Sequence, residues 1–103
     1  MHVSDLSVAH VKTLKYLKEK SKSVILNCGY GKGYSVLEIL RMFKKIKKNL
    51  KINFVQRRKG DVAAVYSDTK KFKKTIKMKV KYSNIRKILK SSIKWEKILK
   101  NRK

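Results

Sequence analysis

The residues best suited to chemistry stand together at Arg57-Arg58-Lys59-Gly60-Asp61. Two guanidiniums beside a glycine at a strand end can take diphosphate oxygens as charge-assisted hydrogen bonds, while a nearby carboxylate accepts from hydroxyls. On composition alone an exposed basic turn is the better account of this run. A second candidate is Gly29-x-Gly31-x-Gly33, which follows an apolar run and precedes a capped helix. In that setting backbone N–H groups can approach an anion. Its last spacing is one residue short of G-x-G-x-x-G, and residues 51–56 place no acidic side chain where a ribose partner would stand. A structural tight turn is the stronger account of this loop.

Other chemistries find little support. His2, His10 and the lone Cys28 have no metal-ligand spacing, since a closed zinc site takes four ligands delivered in close pairs. His2 is expected to be buried and satisfied, and His10 to lie on a helix surface. The six carboxylates, Asp5, Glu19, Glu38, Asp61, Asp68 and Glu96, offer no pair in neighbouring turns of one element. Three of them have capping or helix-start roles, so no catalytic dyad is assigned.

These groups must be positioned by a chain of 103 residues with 30 Lys and Arg against 6 Asp and Glu, a net charge of +24. One domain over residues 1–103 is the ceiling at this length. Apolar residues make up 42% and recur periodically, which separates the chain from disordered polyelectrolytes. No apolar run reaches the ~18 residues that span a bilayer, and no signal-type segment opens the sequence. A single cysteine suits a reducing compartment. The expectation is therefore a soluble, cytoplasmic protein without a membrane partner. The charge points to weak, non-specific polyanion binding through counterion release. Yet 25 of the cations are Lys, spread along the whole chain, and only five are the Arg that reads base edges. An A/T-rich coding sequence explains the same bias, and the two accounts weigh about equally.

Periodicity places the elements. Residues 4 to about 20 put Leu6, Ala9, Val11, Leu14 and Leu17 near one helical stripe. Residues 23–28 form a short β-branched run that suits a buried strand. Ser35-x-x-Glu38 is a capping box opening a helix with Val36, Ile39, Leu40, Phe43, Ile46 and Leu50 inward. Residues 51–56 read as a second strand, and a βαβ-like unit results. Asp68 can cap a short helix over 69–76, and Ser83 or Asn84 a last one striped by Ile85, Ile88, Leu89, Trp95, Ile98 and Leu99. The fold class expected is α/β, with about four helices and two or three short strands.

Several of these segments, in order, resemble the C-terminal part of the UDP-glucose 4-epimerases, in the extended short-chain dehydrogenase/reductase family. His2-Val3-x-Asp5-Leu6-x-x-Ala9-His10 resembles the family's H-V-x-D-L-A-x-A-H segment, and Asn27-x-Gly29-x-Gly31-Lys32-Gly33-Tyr34-Ser35-Val36-Leu37 its N-L-G-x-G-x-G-x-S-V-L stretch. Arg57-Arg58-x-Gly60-Asp61 is similar to R-R-x-G-D, and Tyr66-x-Asp68-x-x-Lys71 to the Y-x-D-x-x-K that follows. Lys81-Tyr82-Ser83 and Trp95 resemble the closing segment. Lys59, Met78 and Val80 depart from the family's usual residues.

The resemblance implies a small substrate-binding lobe of an isomerase that interconverts UDP-galactose and UDP-glucose in galactose metabolism. It implies that Arg58 contacts the pyrophosphate of a UDP-sugar, Asp61 its ribose, and Val65 the hexose pocket. The family binds NAD through an N-terminal Rossmann domain that also carries the catalytic Tyr-x-x-x-Lys, and none of these motifs occurs in the 103 residues. Hydride transfer needs that cofactor, because no side chain accepts a hydride. The expectation is a truncated or split protein, inactive alone, without cofactor of its own and with a separately encoded Rossmann half as the implied partner. A basic polyanion-binding module and a non-functional remnant are the alternatives.

Overall fold

The computed structural model describes residues 1–102 and contains four helices: α1 (Val3–Lys20), α2 (Val36–Ile46), α3 (Lys70–Ile76) and α4 (Ile85–Asn101). Each start has a local cause. His2 caps α1, its ring nitrogen accepting from the Ser4 N–H, and Ser35 Oγ accepts from the Glu38 N–H at 3.1 Å, one half of the expected capping box. Asp68 accepts from the Lys70 N–H, and Asn84 caps α4 by accepting from the Arg86 and Lys87 N–H groups. The helices stop where the backbone turns left-handed, at Ser21 after α1 and Lys77 after α3.

The helices pair as α1 on α3 and α2 on α4. Their buried apolar residues are Ala9, Phe72 and Leu89. The result is an open molecule. Its radius of gyration is 17.1 Å, against about 13 Å for a compact chain of 100 residues. Its accessible surface is 9495 Å², whereas a folded monomer of this mass exposes about 6,000 Å².

The expected strands are not supported. Residues 23–28 and 51–56 carry the β-branched pattern, yet no ladder joins either to another segment among the described residues. A strand exists only where a neighbour exchanges N–H and C=O bonds with it, and composition records the propensity without the neighbour. Both segments stay extended, with Ile25, Phe54 and Val55 each at least 80% exposed. The second helix also ends at Ile46, before Leu50, and its predicted inward Val36 faces solvent.

Candidate functional site

Two regions contain the polar residues that the sequence singled out, and they are built differently. The first is a buried junction around Asp5, which faces inward one helical turn before Ala9 and is 2% exposed. Its carboxylate accepts from the Tyr30 hydroxyl at 2.7 Å, from the Lys81 N–H at 3.1 Å and from the Tyr82 N–H at 2.9 Å. Burial alone would raise its pKa, but these hydrogen bonds and the neighbouring His2 outweigh it and hold the carboxyl below its ordinary value. Burial, followed by the bond to Asp5, pushes the Tyr30 phenol up to about 12. His2 completes the junction, stacked on Tyr82 with ring centroids 4.4 Å apart. Its Nδ1 accepts from Ser4, so Nε2 carries the proton and donates to Ser91 Oγ at 3.0 Å. His10, by contrast, is exposed and bonds the Leu6 carbonyl of its own helix.

The glycine loop belongs to this structural region. Gly31 has φ +72°, and a Cβ there would meet Thr69 Oγ1 at 2.9 Å, so the loop packs closely on the chain's own 67–69 segment. Ser67 Oγ also donates to the Cys28 carbonyl at 3.5 Å. The loop is a turn packed on its own chain.

The second region is the turn at 57–61. Gly60 has φ +90° in open space, which lets the Asp61 N–H reach back to the Arg58 carbonyl at 3.3 Å. The turn brings the Arg58 guanidinium to 3.6 Å from the Asp61 carboxylate, with side-chain exposures of 86% and 42%. Arg57 donates to the Asp61 carbonyl at 3.1 Å. Val65 is 83% exposed. Arg58 and Asp61 are thus brought together by a local turn, whereas Val65 lies apart on the extended chain that follows. An exposed pair of this kind is worth at most about 1 kcal/mol. A diphosphate offering two oxygens, at roughly 1.5–3 kcal/mol for bonds to a charged group, can therefore draw the guanidinium from Asp61 and free the carboxylate to accept from hydroxyls.

No family model matches the chain. Individual proteins do. The chain is 40% identical over 97 residues to a putative UDP-arabinose 4-epimerase 2 of Arabidopsis thaliana, covering 93% of this chain and 23% of that protein. It is 32% identical over 100 residues to a UDP-glucose 4-epimerase of Azospirillum brasilense, covering 96% of this chain and 29% of that one. In structure it superposes over its whole length on 31% of a UDP-glucose-4-epimerase from Stenotrophomonas maltophila, with a TM-score of 0.92 and 28% identity. The chain matches a C-terminal part of the UDP-sugar 4-epimerases.

It spans about a quarter of the length of the curated relatives it matches. The Stenotrophomonas epimerase structure holds NAD and a formylated UDP-arabinopyranose. No junction is assigned from the sequence to Asp5, whose partners are Tyr30, Lys81 and Tyr82. The signal lay in the spacing, since Asp5 and Ala9 are four apart and so share the inward face of α1.

Proposed function

We propose that residues 1–103 form the UDP-sugar-binding lobe of a UDP-glucose 4-epimerase-like isomerase, with Arg58 holding the diphosphate, Asp61 the ribose hydroxyls and Val65 bordering the hexose. The observation that supports this best is the Arg58–Asp61 turn: a guanidinium and a carboxylate held 3.6 Å apart on an open face, in the order found in the R-R-x-G-D segment. Gly60 makes that juxtaposition possible, and neither side chain is needed by the rest of the chain. The chain's own part in the reaction is to bind and orient the nucleotide. NAD, bound by an epimerase-like Rossmann half, would supply the hydride chemistry, and the catalytic Tyr and Lys would come from that same half.

The test uses the Stenotrophomonas maltophila epimerase with its matched stretch replaced by residues 1–103. UDP binding to this chimera is measured with and without Arg58→Ala. The reading expects UDP and UDP-hexoses to weaken together by about tenfold or more. Unchanged UDP affinity overturns it and returns Arg57 and Arg58 to an exposed basic turn. The charge of +24 favours a second, weaker activity, sequence-independent binding of polyanions by the lysine surface, which falls steeply as salt rises.

A further inference from the structure

Outside the Arg58–Asp61 turn, a stripe of positive charge runs along α4. Lys87, Lys90, Lys94 and Lys97 follow one another at steps of three, four and three residues, and all four are exposed. At about 3.6 residues per turn they fall within an arc of about 80° and extend over about 15 Å of helix axis. No apolar residue and no carboxylate shares that arc, and Glu96, the one acidic residue of α4, stands well outside it. On its other side α4 packs on α2, with Leu89 buried, and at the start of α4 Arg86 and Lys45 of α2 line one small hollow. Among the described residues the one ion pair joins Arg58 to Asp61, so none of these cations is neutralised within the chain.

We propose that the lysine face of α4, extended by Arg86 and Lys45, is a docking surface for the phosphate backbone of a nucleic acid duplex. This gives the second activity named above a site and a partner, and it rests on that reading and not on the UDP-sugar one. Three observations select the partner. The stripe is straight, and duplex DNA presents one phosphate charge per about 1.7 Å of axis, so about nine such charges lie along its length of about 15 Å. Each phosphate that a cation meets releases condensed counterions, which drives binding. The stripe is built of lysines, whose ammonium groups on flexible stems meet phosphates as point charges and lack the fixed fork that reads a guanine edge. Binding is therefore indifferent to base sequence. An anionic membrane suits the face less well, because a helix lying in a bilayer surface buries its apolar side there. The apolar side of α4 is turned to α2, and Trp95 lies under the Arg102 guanidinium.

The test titrates the free chain against two short labelled DNA duplexes of unrelated sequence over a series of salt concentrations. Two variants of equal net charge locate the site. One combines Lys87→Gln, Lys90→Gln, Lys94→Gln and Lys97→Gln on α4. The other combines Lys12→Gln, Lys15→Gln, Lys18→Gln and Lys20→Gln, at exposed positions of α1. The native chain is expected to bind both duplexes with affinities within about threefold of each other. The α4 variant is expected to bind at least about tenfold more weakly and to flatten the slope of log affinity against log salt by about 3.6, at about 0.9 for each phosphate contact. The α1 variant is expected to stay within about threefold of the native chain. Equal losses in the two variants overturn the site and leave a diffuse attraction of the whole lysine surface. A chain that binds neither the duplexes nor phosphatidylserine vesicles removes the polyanion reading as well. Tighter binding to those vesicles than to the duplexes overturns the proposal in favour of a membrane surface, and a preference for one duplex that persists at high salt overturns it in favour of base readout. Lysine acetylation of the native chain decides the matter if the α4 variant does not fold. Duplex is expected to protect Lys87, Lys90, Lys94 and Lys97 and to leave Lys12, Lys15 and Lys18 reactive, and even protection of both helices overturns the proposal. Arg58-dependent UDP binding by the chimera is independent of all these outcomes.

Discussion

The Asp5 junction and the Arg58–Asp61 turn both centre on an aspartate, and they stand at opposite limits of commitment. Asp5 is buried, and donors from the glycine loop and from the segment before α4 meet its two oxygens. Asp61 is exposed, and its carboxylate meets a solvated guanidinium at 3.6 Å. A polar group whose partners all lie within the chain holds the fold. One placed by a glycine turn, with bonding capacity to spare, is available to a ligand. Both aspartates lie in segments that match the epimerases, so resemblance alone does not separate the two roles; burial and hydrogen bonding do.

The sharpest way to break this contrast is to remove each carboxylate. Asp5→Ala leaves the Tyr30 hydroxyl and two backbone N–H groups without their acceptor, at a cost of about 3 kcal/mol or more. Denaturant titration is expected to show that loss, together with faster hydrogen exchange at Lys81 and Tyr82. Asp61→Ala is expected to change stability by less than about 0.5 kcal/mol. Equal effects would erase the distinction drawn between the two aspartates.

Ligand binding in the chimera sharpens the other limb. Val65→Tyr is expected to leave UDP affinity within about twofold and to weaken bulky UDP-hexoses by about tenfold, because the added ring fills space beside the sugar and not beside the nucleotide. A parallel loss for UDP would remove Val65 from the hexose side.

Acid and base act on the junction in opposite directions. Asp5 has a depressed pKa, so its contribution to stability is present above its unfolded pKa, near 4, and is lost as pH falls through the lower folded value. Tyr30 has a raised pKa of about 12, so its contribution is complete below its unfolded pKa near 10 and is lost as pH rises through the folded value. Thermal melts across pH are expected to fall off in both windows, and Tyr30→Phe is expected to abolish the alkaline fall. An alkaline loss that survives Tyr30→Phe would locate it elsewhere.

The smallest effect concerns the charge common to both regions. Raising salt from about 10 mM to 150 mM shortens the screening length from about 30 Å to about 8 Å. The melting temperature of the free chain is expected to rise by a few degrees as self-repulsion among its cations weakens. A melt indifferent to salt would show that the lysines are too widely spaced to repel.

All four helices were legible in the residues themselves, because their causes are local. Ser35 and Asn84 cap the helices they precede, Asp68 one residue before the Thr69 cap accepts from the first N–H of α3, and apolar spacing marks the faces that pack. The Arg58–Asp61 turn was legible for the same reason, since Gly60 and a three-residue spacing suffice to form it. The strands and the Asp5 junction were decided by tertiary structure. Residues 23–28 have the alternation of a strand, but a ladder depends on a neighbouring backbone that alternation does not encode. Asp5 meets its partners 25, 76 and 77 residues away, at Tyr30, Lys81 and Tyr82. No spacing rule reaches that far, and only the packing of α1 against these loops turns a helix-start carboxylate into the residue that joins them.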